Sequence, residues 1–235
     1  MIRQGSKAAI VAALLFSVVA SAIGQDLEAW FDRAPEAVAY ASLRAASMTL
    51  AAGIRAAGLE DRLLLDRFVE GARKRVPPDR LIAAIREEAM RLENVSRLLV
   101  ERSLLPAASA DASDLVAEAS LLLRAGATAG ELAAALDAAA KRGPRVPRAF
   151  SAIAVAYAIH ARFPLDEADR LRLSAALAGS ALDRRRFDSL ISVFAKYRAA
   201  GLSSNIIASI VVGACDAGGS LERIERELQR RTRTP

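Results

Sequence analysis

Hydrophobic positions recur at three- and four-residue intervals almost from end to end, and no segment alternates with period two for more than a few residues. The pattern predicts helix throughout. Ala, Leu and Arg, which favour helix, dominate the composition, and β-branched residues gather only in the run from Ile206 to Val212. That run is too short to cross a bilayer and reads as a buried helix. The expected fold class is therefore all-α.

The breaks between helices carry more information than the helices. The same kind of interruption returns along the chain: a Gly or basic residue, a hydrophobic residue, then a helix starter. Examples are Gly58-Leu59-Glu60, Arg75-Val76-Pro77, Gly126-Ala127-Thr128, Gly201-Leu202-Ser203 and Gly219-Ser220-Leu221. A residue just past a helix that accepts the left-handed conformation ends it, and the hydrophobic residue after it folds back on the last turn. Ser, Thr or Pro then starts the next helix. Thr128 has Glu131 three residues on, the spacing of a reciprocal capping box. Helix starts are expected near residues 35, 60, 78, 111 to 113, 128, 147, 166, 183, 203 and 220, most of them about 17 to 20 residues apart, one helix and one tight turn each.

Two such steps make a unit of about 37 residues, within the range of helical-hairpin repeats. At an offset of about 126, Leu64, Leu65, Phe68, Val76 and Leu81 fall on Leu190, Ile191, Phe194, Leu202 and Ile207, which suggests a duplicated hairpin. Neither the tryptophan, glycine and tyrosine pattern of tetratricopeptide units nor the Thr-Pro-Leu-His of ankyrin units is present. The architecture expected is about ten short antiparallel helices in an array or bundle, with an α-solenoid-like stack of hairpins as the regular form. Two places break the rhythm: the small-residue segment Leu105 to Ser113, which suits a hinge, and the connector Gly143 to Pro147 with its two prolines. The expected organisation is a leader over 1–24, an N-terminal helical half over 25–105, a C-terminal half over 106–230 packed on or continuous with the first, and a frayed tail over 231–235.

The N-terminus changes the picture. Arg3 and Lys7 precede an apolar stretch of about 13 residues, Ala8 to Ala20, followed by small residues, which is the order of a secretory signal. Cleavage is expected after Ala22 or Gly24. The stretch stops short of the roughly 20 residues that span a bilayer, so no transmembrane helix is expected after cleavage. The chain is then exported, periplasmic or extracellular in the bacterial manner. The formal charge of +6 falls to +4 once Arg3 and Lys7 leave with the signal. With export expected, that mild excess makes nucleic acid an unlikely partner and leaves a protein or another envelope component as the unidentified one.

Candidate chemistry is sparse. The single histidine, His160, and the single cysteine, Cys215, are too few for a zinc site, and no Gly-rich phosphate loop, Gly-x-Ser-x-Gly elbow or calcium loop is present. No metal, cofactor or catalytic residue is assigned. Cys215 follows the apolar run from Ile206 and reads as a small buried hydrophobe. Glu70 with Lys74, Glu87 with Arg91 and Glu93 with Arg97 have the spacing of helical ion pairs, and Glu87-Glu88 reads as a solvated face. Asp166, Glu167 and Asp169 complement the dipole of a first helical turn. Arg184-Arg185-Arg186 lies between Asp183 and Asp188, which partly neutralise it. Lys141, Arg142, Arg145 and Arg148 surround the proline connector and suit an anion-binding edge, with His160 as a further candidate ligand contact. Trp30 and Phe31 come a few residues into the mature chain and suit a short amphipathic segment docked on the body, with a membrane-surface contact or partner-binding tip as the alternative.

The function these features favour is an exported helical binding or structural module without catalysis of its own. Two alternatives stand beside it. One is an exported all-α enzyme using carboxylates such as Glu70, Glu87 or Asp166 across a helical cleft; the other is an envelope-associated protein binding anionic lipid or polymer through the basic loop.

Overall fold

The computed structural model describes residues 26–105, 110–140 and 146–233. The leader over 1–24, the centre of the small-residue segment and most of the proline connector lie outside these residues. The described chain is all-α: eleven α-helices and two 3₁₀ helices, with no strand among the described residues. Its contacts divide it into two units, one ending at Leu121 and one starting at Leu122.

The first unit opens with α1 (Leu27–Arg33), whose amino end is closed by Asp26 Oδ1 accepting the Ala29 N–H at 2.7 Å. Trp30 is buried and meets Phe31 and Phe68 at ring centroids of 5.0 and 5.6 Å, so the opening segment docks as its composition suggests. The helix expected near residue 35 begins as a 3₁₀ helix, Pro35–Leu43, and only then becomes α2 (Arg44–Ala56). The burial pattern explains the change. Ala37, Tyr40 and Leu43 are buried at intervals of three, the 3₁₀ period, whereas Ser47, Ala51 and Ile54 follow the α period. Tyr40 OH donates to the Val76 carbonyl at 2.9 Å, pinning the 3₁₀ segment to the turn between α3 (Arg62–Arg73) and α4 (Pro78–Glu101). Pro35–Ala56 is also the helical stretch among the described residues that is long and apolar enough to cross a bilayer by length and composition. Here its buried edge packs against α4, and Arg44 pairs with Asp32 at 2.6 Å. Glu60 N–H and Arg62 bond to Ser113 and Asp114 of α5 (Ala110–Arg124), whose last turn passes into the second unit.

The second unit is organised around α8 (Glu167–Gly179), which packs against α6 (Ala129–Ala140), α7 (Val146–Arg162) and α10 (Ser204–Asp216). Such a helix buries more than one face. Leu173, Leu177 and Ala178 are fully buried, as is Phe194 of α9 (Ser189–Ala199). The start expected near residue 183 yields a 3₁₀ turn, Arg184–Arg186, because Asp183 Oδ1 takes the Arg185 N–H at 3.0 Å; α9 follows from Ser189. The run from Ile206 lies in α10 with Ile207 and Val211 buried, and α11 (Leu221–Arg233) buries Ile224 and Leu228.

Six helix ends share one hydrogen-bonding pattern. Leu59 N–H returns to Ile54 and Gly58 N–H to Arg55; the same pair of bonds closes the turns at Arg75, Ser103, Gly126, Gly201 and Gly218. This is the Schellman arrangement, and all six central residues have positive φ. In the last turn the left-handed residue is Gly218, one place before the glycine that the spacing suggests. Arg75 and Ser103, at φ 52° and 54°, hold it despite a β-carbon, at a cost of about 1–2 kcal/mol each.

Candidate functional site

The most elaborate polar constellation lies inside the second unit and centres on Glu131. The expected capping box forms by half. Thr128 Oγ1 accepts the Glu131 N–H at 3.0 Å, but the Glu131 carboxylate does not turn back to the cap. It enters the core instead. Arg170 Nη1 donates to Oε2 at 2.6 Å, Tyr157 OH to the same oxygen at 3.1 Å, and Ser174 Oγ to Oε1 at 2.7 Å. The Arg170 guanidinium also lies over the Tyr157 ring, 4.2 Å from its centroid. Arg170 and Ser174 sit four apart on one face of α8, Tyr157 on α7 and Glu131 on α6, so three helices converge on one carboxylate. Side-chain exposure is 1% for Glu131 and 8% for Arg170. Charges so far from water persist only when paired, and this pair is. Burial, then the Glu131 charge, pushes the Tyr157 phenol well above its usual range.

A second buried carboxylate, Glu88 of α4, belongs to the first unit. The Glu87-Glu88 dipeptide is therefore not a solvated face as a whole: Glu87 is exposed and pairs with Arg91 at 2.7 Å, while Glu88 turns inward. Ser120 Oγ donates to Glu88 Oε1 at 2.8 Å, and Arg91 donates to Oε2. The mid-helix position next to Ala89 on the buried side is what the charge pattern concealed.

Of the residues singled out from the sequence as ligand contacts, Arg148 and His160 lie within the described part, at separate places on α7. Lys141, Arg142 and Arg145 lie outside the described residues. Arg148 is buried near the start of α7, where its guanidinium closes the carboxyl end of α8: Nε donates to Ala178 O at 2.9 Å, and Nη2 reaches the carbonyls of Leu177, Ser180 and Leu182 and the Ser180 hydroxyl. A cation at a helix carboxyl end meets the negative pole and the orphan carbonyls at once. His160 is twelve residues further along the same helix, about 18 Å of axial rise away. Its Nδ1 accepts the Leu165 N–H at 3.2 Å and so secures the turn out of α7. No protein-family model, curated protein or solved structure matches the chain.

The carboxylates offered for acid-base work are engaged separately. Glu70 is held below the usual carboxylate range, first by its bond from Lys74 at 2.6 Å and then by Arg67. Asp166 accepts from Asn205 Nδ2 at 2.5 Å, and the Asn205 amide oxygen accepts the Asp166 N–H in return. Of the three expected ion pairs, Glu70–Lys74 and Glu87–Arg91 form; Arg97 donates to Asn94 rather than to Glu93. Cys215 is buried, and burial pushes its thiol up to about 11, with a weaker opposing effect from the Ser180 hydrogen bond. At neutral pH it is a protonated, inert thiol.

Sequence reasoning missed Glu88 and the true role of Glu131. One signal was available for Glu131: in the stretch Glu131 to Ala140 the other residues are Ala and Leu apart from Asp137, so a broad solvated face is hard to place there.

Proposed function

We propose that the protein is an exported helical binding or structural module of the cell envelope, working without catalysis of its own and built from stacked helical hairpins. The observation that carries this reading is the way its interior carboxylates are used. A general acid or base must reach a substrate proton; Glu131 instead accepts from three helix-borne donors, and Glu88 from Arg91 and Ser120. That is how charge holds helices in register.

The hairpin reading is supported by the matched turns. At the offset of 126, α3 to α4 and α9 to α10 end and restart at equivalent residues, and Val76 N–H to Gly71 corresponds to Leu202 N–H to Tyr197. Arg75 and Gly201 are the equivalent left-handed positions. Export is supported by the charged, apolar and small-residue order of the first 24 residues.

Expression of the full chain in a bacterial host with fractionation and N-terminal sequencing tests the reading. The expected product is periplasmic or secreted and starts at Ile23 or Gln25. A full-length chain retained in the cytoplasm would overturn it.

A further inference from the structure

We propose that the outward face of α11 is a docking surface for the anionic phospholipid surface of a bilayer. The helix carries Arg223, Arg226, Arg230, Arg231 and Arg233 against Glu222, Glu225 and Glu227. Spacing sorts these charges. At 100° per residue, Arg223, Arg226, Arg230 and Arg233 fall within an arc of about 80° that runs some 15 Å along the axis. All four are exposed. Ile224 and Leu228, on the opposite side, are fully buried.

The acidic residues of the helix are taken up at its margins. Arg186 pairs with Glu222 at 2.9 Å and Lys196 with Glu225 at 3.1 Å, both cations coming from outside α11. Glu227 pairs with Arg223 at 3.1 Å. The external cations offset two of the three acids, so the arc keeps its positive excess. Arg184 and Arg185, the chain neighbours of Arg186, are exposed as well. Arg223, Arg226, Glu227 and Arg230 line an open hollow of about 340 Å³, large enough for a phosphate group, with the Glu227 charge on its wall offset by Arg223.

Two features favour a lipid surface over a nucleic acid. Leu221–Arg233 contains no aromatic residue on which a base could stack. The expected export places the protein beside membranes, and to that extent the inference rests on the proposed function. Because Ile224 and Leu228 face the protein interior, the helix cannot lay an apolar side into the bilayer as interfacial helices do. Attachment is then electrostatic, without insertion, and is screened by salt.

The test is co-sedimentation of the full chain with vesicles of phosphatidylglycerol mixed into phosphatidylcholine, against vesicles of phosphatidylcholine alone. Binding is expected only to the anionic vesicles and is expected to disappear in 1 M salt. Each basic residue near such a surface contributes about 1 kcal/mol, roughly fivefold, so Arg226→Gln/Arg230→Gln/Arg233→Gln is expected to weaken partitioning about 100-fold. A control triple, Arg73→Gln/Arg80→Gln/Arg86→Gln, removes the same charge from exposed positions of the first unit and is expected to leave most binding intact. Circular dichroism checks that both variants stay folded. Equal losses in the two triples, binding to neutral vesicles, no binding to anionic ones, or tighter binding to single-stranded RNA at the same salt would each overturn the proposal. Failure here leaves fractionation and N-terminal sequencing untouched, so the docking face and the export reading fail separately.

Discussion

Glu88 in the first unit and Glu131 in the second are both buried carboxylates paired with an arginine and a serine, yet they hold different things together. The Arg91 that meets Glu88 is on the same helix, three residues on, and its side chain keeps 19% exposure, with Glu87 as a second acceptor. Among the described bonds, the one from Ser120 reaches Glu88 from another helix. Glu131 has no partner on its own helix among its side-chain bonds: Tyr157 comes from α7, and Arg170 and Ser174 come from α8. The first cluster, in its described bonds, is built on a local ion pair within α4. The second is a junction of three helices. The lesson is that the value of a buried charge lies in where its partners are anchored and in what remains for them when it is lost.

The largest expected effect follows from removing the junction. Glu131→Ala leaves Arg170 buried without its anion and is expected to cost about 3–5 kcal/mol in urea unfolding, because an uncompensated buried charge is what makes a broken pair expensive. A loss below about 1 kcal/mol would show that Arg170 finds water, and that the cluster is less enclosed than its exposure indicates. Glu88→Ala is expected to cost less, about 1–3 kcal/mol by the same measurement, since Arg91 keeps Glu87 and Ser120 loses one acceptor. If the two variants cost the same, the distinction between a local pair and a junction fails.

The smallest effect sharpens the comparison through pH. Tyr157→Phe removes one bond to Glu131, about 0.5–1.5 kcal/mol at neutral pH. The phenol is held protonated in the fold well above its ordinary value near 10, so its stabilisation is fully present below pH 10 and is lost as pH rises beyond it, when the unfolded chain ionises first. The parent is therefore expected to lose stability between pH 10 and 11.5 more steeply than the variant. Identical slopes in denaturant titrations across that range would remove Tyr157 from the junction.

Much of the helix order was legible before any packing was known. Starts expected near 78, 128, 147, 166, 203 and 220 fall within one residue of those observed, because capping residues, prolines and left-handed turns act over four to six residues. The failures have separate causes. Ser103 closes a Schellman turn without a glycine to announce it, and Pro35–Leu43 is 3₁₀ because buried Ala37, Tyr40 and Leu43 demand a threefold period against α4. The candidate site was much less legible. Arg148 stood in a basic cluster around a loop, and the fold uses it to close the end of α8 across about 30 residues of sequence.

The sequence by itself determined an all-α chain and where most helices stop and start, since these depend on side chains and backbone groups a few residues apart. Only the tertiary structure decided that Glu88 and Glu131 are interior and that Arg148 and His160 are bonded within the fold. It alone showed that the arc of four arginines on α11 is exposed while Ile224 and Leu228 are buried. The reason is physical: the cost of burying a charge is met by partners from other helices, and no pattern along one helix reveals which partners those are.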